Sequence, residues 1–157
     1  VALRGPLRPS APLHPMLETL LRSLVFPSRR TRVLALVVAA VQMAVLFHLG
    51  MLAGKAGLLV APFDKLAHLG YFGCLAGLFW IGSGGTPWRS ALIALAMVAL
   101  FGAADETVQA YTPGRDSSAL DWLADMFGAL LAVSTLSLLR SRLASAVLTP
   151  GAQPAAY

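Results

Sequence analysis

Charge is scarce in this sequence. Of its 157 residues, 12% are Asp, Glu, Lys or Arg and 57% are hydrophobic. About a quarter of a soluble domain is charged. The chain therefore lacks the charge to cover a water-facing surface, and an integral membrane protein is the class that remains. Cysteine is nearly missing. A lone Cys74 excludes an internal disulfide, and its place inside an apolar run marks it as a small core residue. No HExxH, no GxSxG and no Cys/His cluster occurs. The segment Gly82-Ser-Gly-Gly-Thr-Pro87 is too short and wrongly patterned for a phosphate loop, and reads as a hairpin turn. The apolar runs do not alternate polar with apolar residues, which excludes barrel strands and leaves helices as the spanning element.

Four long apolar runs are present. The first covers about 32–54 and carries Gln42 and His48 in its interior. A linker at 55–62 follows. The second begins near Phe63 or Leu66 and ends at the glycine turn. The third covers about 88–109 and stops at Tyr111-Thr-Pro-Gly114, where Pro-Gly ends a helix. The fourth covers about 118–139 and stops at Arg140 and Arg142, with Ser117 or Ser118 as N-cap and Asp121 near the positive helix start. Each run is close to the roughly 20 residues needed to cross a bilayer. The expected fold is all-α, a four-transmembrane-helix bundle. Residues 1–31 form a basic, Pro-rich segment in which Met16, Leu17, Leu20, Leu21, Leu24 and Val25 recur at helical spacing, as in a short interfacial amphipathic helix. The bundle occupies 32–139 and a tail 140–157. The first apolar run starts too late and is too long for a signal-peptide core. Trp80, Trp88 and Trp122, near span ends, read as interface anchors.

The cations choose a side. Four spans put both termini together, with Arg4, Arg8, Arg22, Arg29, Arg30, Arg32, Arg89, Arg140 and Arg142 against Glu18. The other side holds Lys55, Lys65 and Arg115 against six carboxylates. The positive-inside bias makes the termini cytoplasmic. The net charge of +5 is a topology signal: the cations flank apolar runs instead of forming one patch with aromatics, so nucleic acid is excluded as a partner.

The acids are gathered. The stretch 105–128 holds five of the seven, with Arg115 alone among the cations. Charge at membrane depth is costly and asks for a reason. Asp64, His68 and Tyr71 are spaced i, i+4, i+7 and share one helix face, with Lys65 beside them. Asp105 and Gln109 share a face, with Glu106 adjacent. Asp121, Asp125 and Gly128 repeat the i, i+4, i+7 spacing. All three faces begin at the outward end of their helices and can converge in one pocket. His48 lies at its rim, and Arg115 is placed to fold over the carboxylates. Gly70, Gly73, Gly77 and Gly128 are candidates for close helix packing, Gly73 and Gly77 as a GxxxG. Such a cluster either locks a loop onto the bundle or binds and processes something, and spacing leaves both readings open.

Together these residues resemble the VanZ-like family of small bacterial membrane proteins. The resemblance rests on Asp64-Lys65-Leu-Ala-His68 with Tyr71, on Asp105-Glu106-Thr-Val-Gln109, on Pro113-Gly114-Arg115, and on Asp121-Trp-Leu-Ala-Asp125-Met-Phe-Gly128. Asp125 stands where the family more often has Asn, and Tyr71 comes one residue early. The resemblance implies the bundle, the shared polar pocket and a bacterial inner membrane. The family takes its name from a protein associated with resistance to the glycopeptide teicoplanin, and the resemblance supplies no reaction. Three functions follow as expectations. The first is an envelope protein whose outward pocket binds a headgroup, an ion or a partner. The second is an accessory or structural subunit of a larger membrane complex. The third is an enzyme working by His/carboxylate acid–base chemistry on an envelope lipid or peptide, which the missing catalytic motifs disfavour. No cofactor or metal is implied, and a metal held by His68, His48 and carboxylates is disfavoured by the same missing motifs. The expected partners are the bilayer and either an envelope lipid headgroup or another membrane protein.

Overall fold

The computed structural model describes residues 26–51 and 62–148, together with Thr19 and Ser23. The expected amphipathic helix within 1–31, most of the linker 55–62 and the end of the tail lie outside the described residues. The fold is all-helical: α1 (Arg29–Gly50), α2 (Phe63–Ser83), α3 (Pro87–Tyr111) and α4 (Ala119–Leu148). All four helices are long and apolar enough to cross a membrane. At 1.5 Å per residue, the 22 residues of α1 reach about 33 Å, matching a hydrocarbon core of about 30 Å.

Local chemistry sets the ends. Ser28 caps α1, its Oγ accepting from Thr31 N at 3.2 Å. Gly84, at φ 57°, supplies the left-handed residue that ends α2. Pro87 opens α3 in its first turn, where its missing N–H costs nothing. After Tyr111 the chain turns through Gly114, at φ 76°, and the Ser118 carbonyl receives the N–H groups of Asp121 and Trp122. One expected end was misplaced. α4 does not stop at Arg140 and Arg142 but continues to Leu148, because arginine is a good helix former and residues 129–148 contain no Gly or Pro.

The helix α2 is the centre. It packs most extensively on α4 and also contacts α3 and α1. Its buried stripe, Phe72, Leu75, Ala76, Phe79 and Trp80, meets Ala39 of α1, Ala94 and Val98 of α3, and Ala129 and Val133 of α4. The α2–α4 crossing is made backbone to backbone. A Cβ on Gly128 would lie 2.1 Å from the Leu69 carbonyl oxygen, and one on Gly73 would lie 3.2 Å from the Gly128 carbonyl. Gly77 would make only an ordinary contact with Leu136, at 3.7 Å. Gly70, expected on the packing side, faces open space. Two further expectations fail. Cys74 is exposed on the outer face of α2. Trp80 is 1% exposed and belongs to the core, its indole N–H donating to Ser137 Oγ at 3.2 Å. Many large apolar side chains, such as Val33, Leu34, Val37 and Val41 of α1, remain exposed, as lipid-facing residues must.

Arginines seal the end that holds the start of α1. Arg32 donates from Nε to the Gly82 carbonyl (3.2 Å) and from Nη2 to the Ser83 carbonyl (2.8 Å). Arg140 donates from Nη1 to the Gly85 carbonyl at 2.8 Å. These bonds gather the start of α1, the α2–α3 turn and the later part of α4 at one end. The acidic stretch therefore sits at the other.

Candidate functional site

The site grows out of the core faces. On α3 the buried positions are Ser90, Ala94, Val98, Gly102, Asp105, Glu106 and Gln109, a stripe at helical spacing that is small or apolar along most of its length and turns acidic in its last two turns. On α4 the same happens in reverse: Asp121 and Asp125 precede Ala129 and Val133 on one face. The carboxylates are buried because they continue the faces that pack on α2. Asp105 and Asp125 are each 1% exposed, and Glu106 and Asp121 each 8%.

From α2, Lys65 Nζ donates to Asp64 Oδ2 at 2.9 Å and also bonds Asp121 Oδ1. His68 Nδ1 lies 2.8 Å from Asp125 Oδ1, and its ring stacks on Phe72 at 6.1 Å between centroids. Asp105 Oδ2 accepts from Gln109 Nε2 at 2.7 Å. Glu106 Oε2 accepts from the backbone N–H of Ser118 at 2.6 Å, which ties the α3–α4 loop to the cluster. Arg115, half-buried in that loop, is an electrostatic neighbour of Asp105.

Other expected members spend their described hydrogen bonds elsewhere, although Tyr71 is an electrostatic neighbour of Asp105. The Tyr71 hydroxyl donates to the Gln42 carbonyl, and Gln42 Nε2 donates back to the Tyr71 carbonyl at 2.9 Å. The pair is a reciprocal brace between α1 and α2. His48 is exposed in the last turn of α1. Asp116 is exposed.

The arrangement has an excess of acceptors. Asp64 Oδ1, Asp105 Oδ1, Glu106 Oε1 and Asp125 Oδ2 are buried and accept no hydrogen bond. A buried acceptor without a partner costs about 1–3 kcal/mol, more when charged. His68, Glu106 and Asp121, from three helices, offer ligand atoms that all lie within 4.8 Å of one another. A shallow groove of about 290 Å³, lined by Ala103, Glu106, Ser117, Ala119 and Trp122, runs alongside Glu106.

A protein-family model described as VanZ/LLP1 matches residues 16–140. The chain belongs to the VanZ/LLP1 family. Searches of curated proteins and of solved structures return no match. The VanZ match encloses every residue of the cluster. It begins upstream of α1 and ends at Arg140, within α4.

Two residues of the VanZ cluster were not picked out from the sequence, and Ser118 was read there only as a helix N-cap. Gly50 and Gly102 make room for carboxylates: a Cβ at Gly50 would lie 3.0 Å from Asp105 Oδ1, and one at Gly102 2.9 Å from Asp125 Oδ2. Gly102 sits three and four residues before Asp105 and Glu106, so helical spacing held a signal for it. Gly50 and the bond from the Ser118 backbone N–H to Glu106 are brought in by the tertiary fold and left no signal in the sequence.

Proposed function

We propose that this VanZ-family membrane protein is a binding protein of the bacterial cell envelope. Its acidic end holds a positively charged or hydrogen-donating group presented at the outer face of the inner membrane. The observation that carries this reading is the set of buried carboxylate oxygens left without donors at one end of the bundle. Acceptors in that state call for a ligand that brings donors or positive charge. The placement at the outer face rests on the bias of arginines toward the terminal end, which makes that end cytoplasmic. A headgroup bearing an amine, a metal ion or a basic segment of a partner protein satisfies the chemistry.

Retention of a labelled lipid-linked envelope precursor by the protein in nanodiscs tests the reading. Wild type should retain it, and Asp105→Ala and His68→Ala should each lose most of that retention. Equal retention by all three would remove this site from the function. A second reading, acid–base catalysis on an envelope lipid or peptide, is supported by the His68–Asp125 pair, in which a buried carboxylate orients an imidazole. It requires turnover of the precursor that is lost in His68→Gln and reduced in Asp125→Asn. An accessory role in a larger complex requires a partner that co-purifies with the chain under native conditions.

A further inference from the structure

We infer that the acidic end is a divalent-cation site, with His68 of α2, Glu106 of α3 and Asp121 of α4 as its protein ligands. The inference rests on the reading of this cluster as a binding site and names what it holds. Ligands about 2.1–2.5 Å from one ion lie no more than about 4–5 Å apart. The three side chains meet that condition, their ligand atoms falling within 4.8 Å of one another.

Two further observations point to a cation. The first is the state of His68. Its Nδ1 faces Asp125 Oδ1 at 2.8 Å. When Asp125 is ionised it can only accept, so a neutral His68 facing it carries its hydrogen on Nδ1 and has the Nε2 lone pair available to an ion. A carboxylate behind a metal-binding histidine fixes the tautomer and raises the basicity of the ligand nitrogen in this way. The second is the set of orphaned oxygens. Glu106 is 8% exposed and spends Oε2 on the Ser118 N–H, leaving Oε1 buried without a donor. Behind it, Asp105 Oδ1 and Asp125 Oδ2 are in the same state on residues 1% exposed. Lys65 bonds Asp64 and Asp121, and none of its described bonds reaches Glu106 or Asp125. The groove lined in part by Glu106 adjoins the α3–α4 loop at Ser117. One imidazole with two carboxylates favours Zn²⁺ or Mn²⁺ over Mg²⁺ and Ca²⁺, which prefer all-oxygen shells.

The test uses the full chain in nanodiscs, stripped with a chelator and then dialysed against zinc or manganese chloride. Elemental analysis should find one ion per chain. Cobalt chloride should give a visible d–d absorption that zinc displaces. His68→Gln and Glu106→Gln should each weaken zinc binding by at least about 100-fold, and Asp125→Asn by about 10–100-fold through its hold on the His68 ring. Ser141→Ala, at the far end of α4, should bind as wild type does. Wild type is decisive even where a variant fails to fold: less than stoichiometric metal, or no cobalt spectrum, overturns the inference. So does a folded His68→Gln that binds zinc as tightly as wild type. A wild type that is empty of metal yet retains the lipid-linked precursor in a Glu106-dependent manner overturns the cation site and leaves the binding function standing.

Discussion

The two ends of this bundle solve opposite problems. At the terminal end, cations meet neutral carbonyls. Arg32 and Arg140 close the α2–α3 turn through Gly82, Ser83 and Gly85, and Ser83 Oγ donates to Ser90 Oγ at 2.7 Å. At the other end, carboxylates outnumber the donors supplied to them, and four of their oxygens are left over. A fold built only for stability would satisfy both ends. The contrast indicates that the terminal end is a brace, whereas the acidic end retains electrostatic strain of the kind that sites accumulate.

Substitutions can break that contrast. The largest effect belongs to the crossing that holds both ends in register. Gly128→Val drives side-chain atoms into the Leu69 backbone and should leave no folded bundle, measured as loss of a monodisperse peak after detergent extraction. Next comes the brace. Arg32→Ala removes two charge-assisted bonds and should cost about 2–4 kcal/mol in thermal or denaturant unfolding. The acidic end should respond with the opposite sign. Asp105→Asn deletes a buried charge that has an unpaired oxygen, so unfolding measurements should find it stabilised by about 1–2 kcal/mol while ligand retention falls. If Asp105→Asn destabilises as Arg32→Ala does, both ends are braces and the contrast disappears. The smallest effect is at Gly70, where an added methyl meets nothing within 4 Å. Gly70→Ala should stabilise α2 by about 0.5–1 kcal/mol and leave retention unchanged.

Much of this was legible in the sequence, for identifiable reasons. Four runs of spanning length, punctuated by Gly-Ser-Gly-Gly-Thr-Pro and by Thr-Pro-Gly, fixed the number of helices. The i, i+4, i+7 spacing of Asp64 with His68, and of Asp121 with Asp125, put the polar side chains on the faces they occupy. What stayed hidden was which face of an apolar helix meets protein and which meets lipid. Both environments accept the same residues, so Cys74 and Trp80 were assigned the wrong surroundings. Hidden too was the brace. Arg32 reads as a topology signal, and its fit against Gly84, where a Cβ would lie 2.1 Å from Arg32 Nε, exists only in three dimensions. The orphaned oxygens also depend on ångström-scale geometry.

Glu106 divides its carboxylate between two tasks. One oxygen grips the backbone of the α3–α4 loop at Ser118, and the other lies buried among the acids. On the proposed binding reading, a ligand that pulls on the second oxygen is felt by the first, which would link occupancy to loop order. By reciprocity, a partner that grips the loop tunes affinity inside by the same factor as the ligand tunes the loop. The Ser118 amide, followed by hydrogen exchange, would then report whether the cluster takes up the proposed ligand.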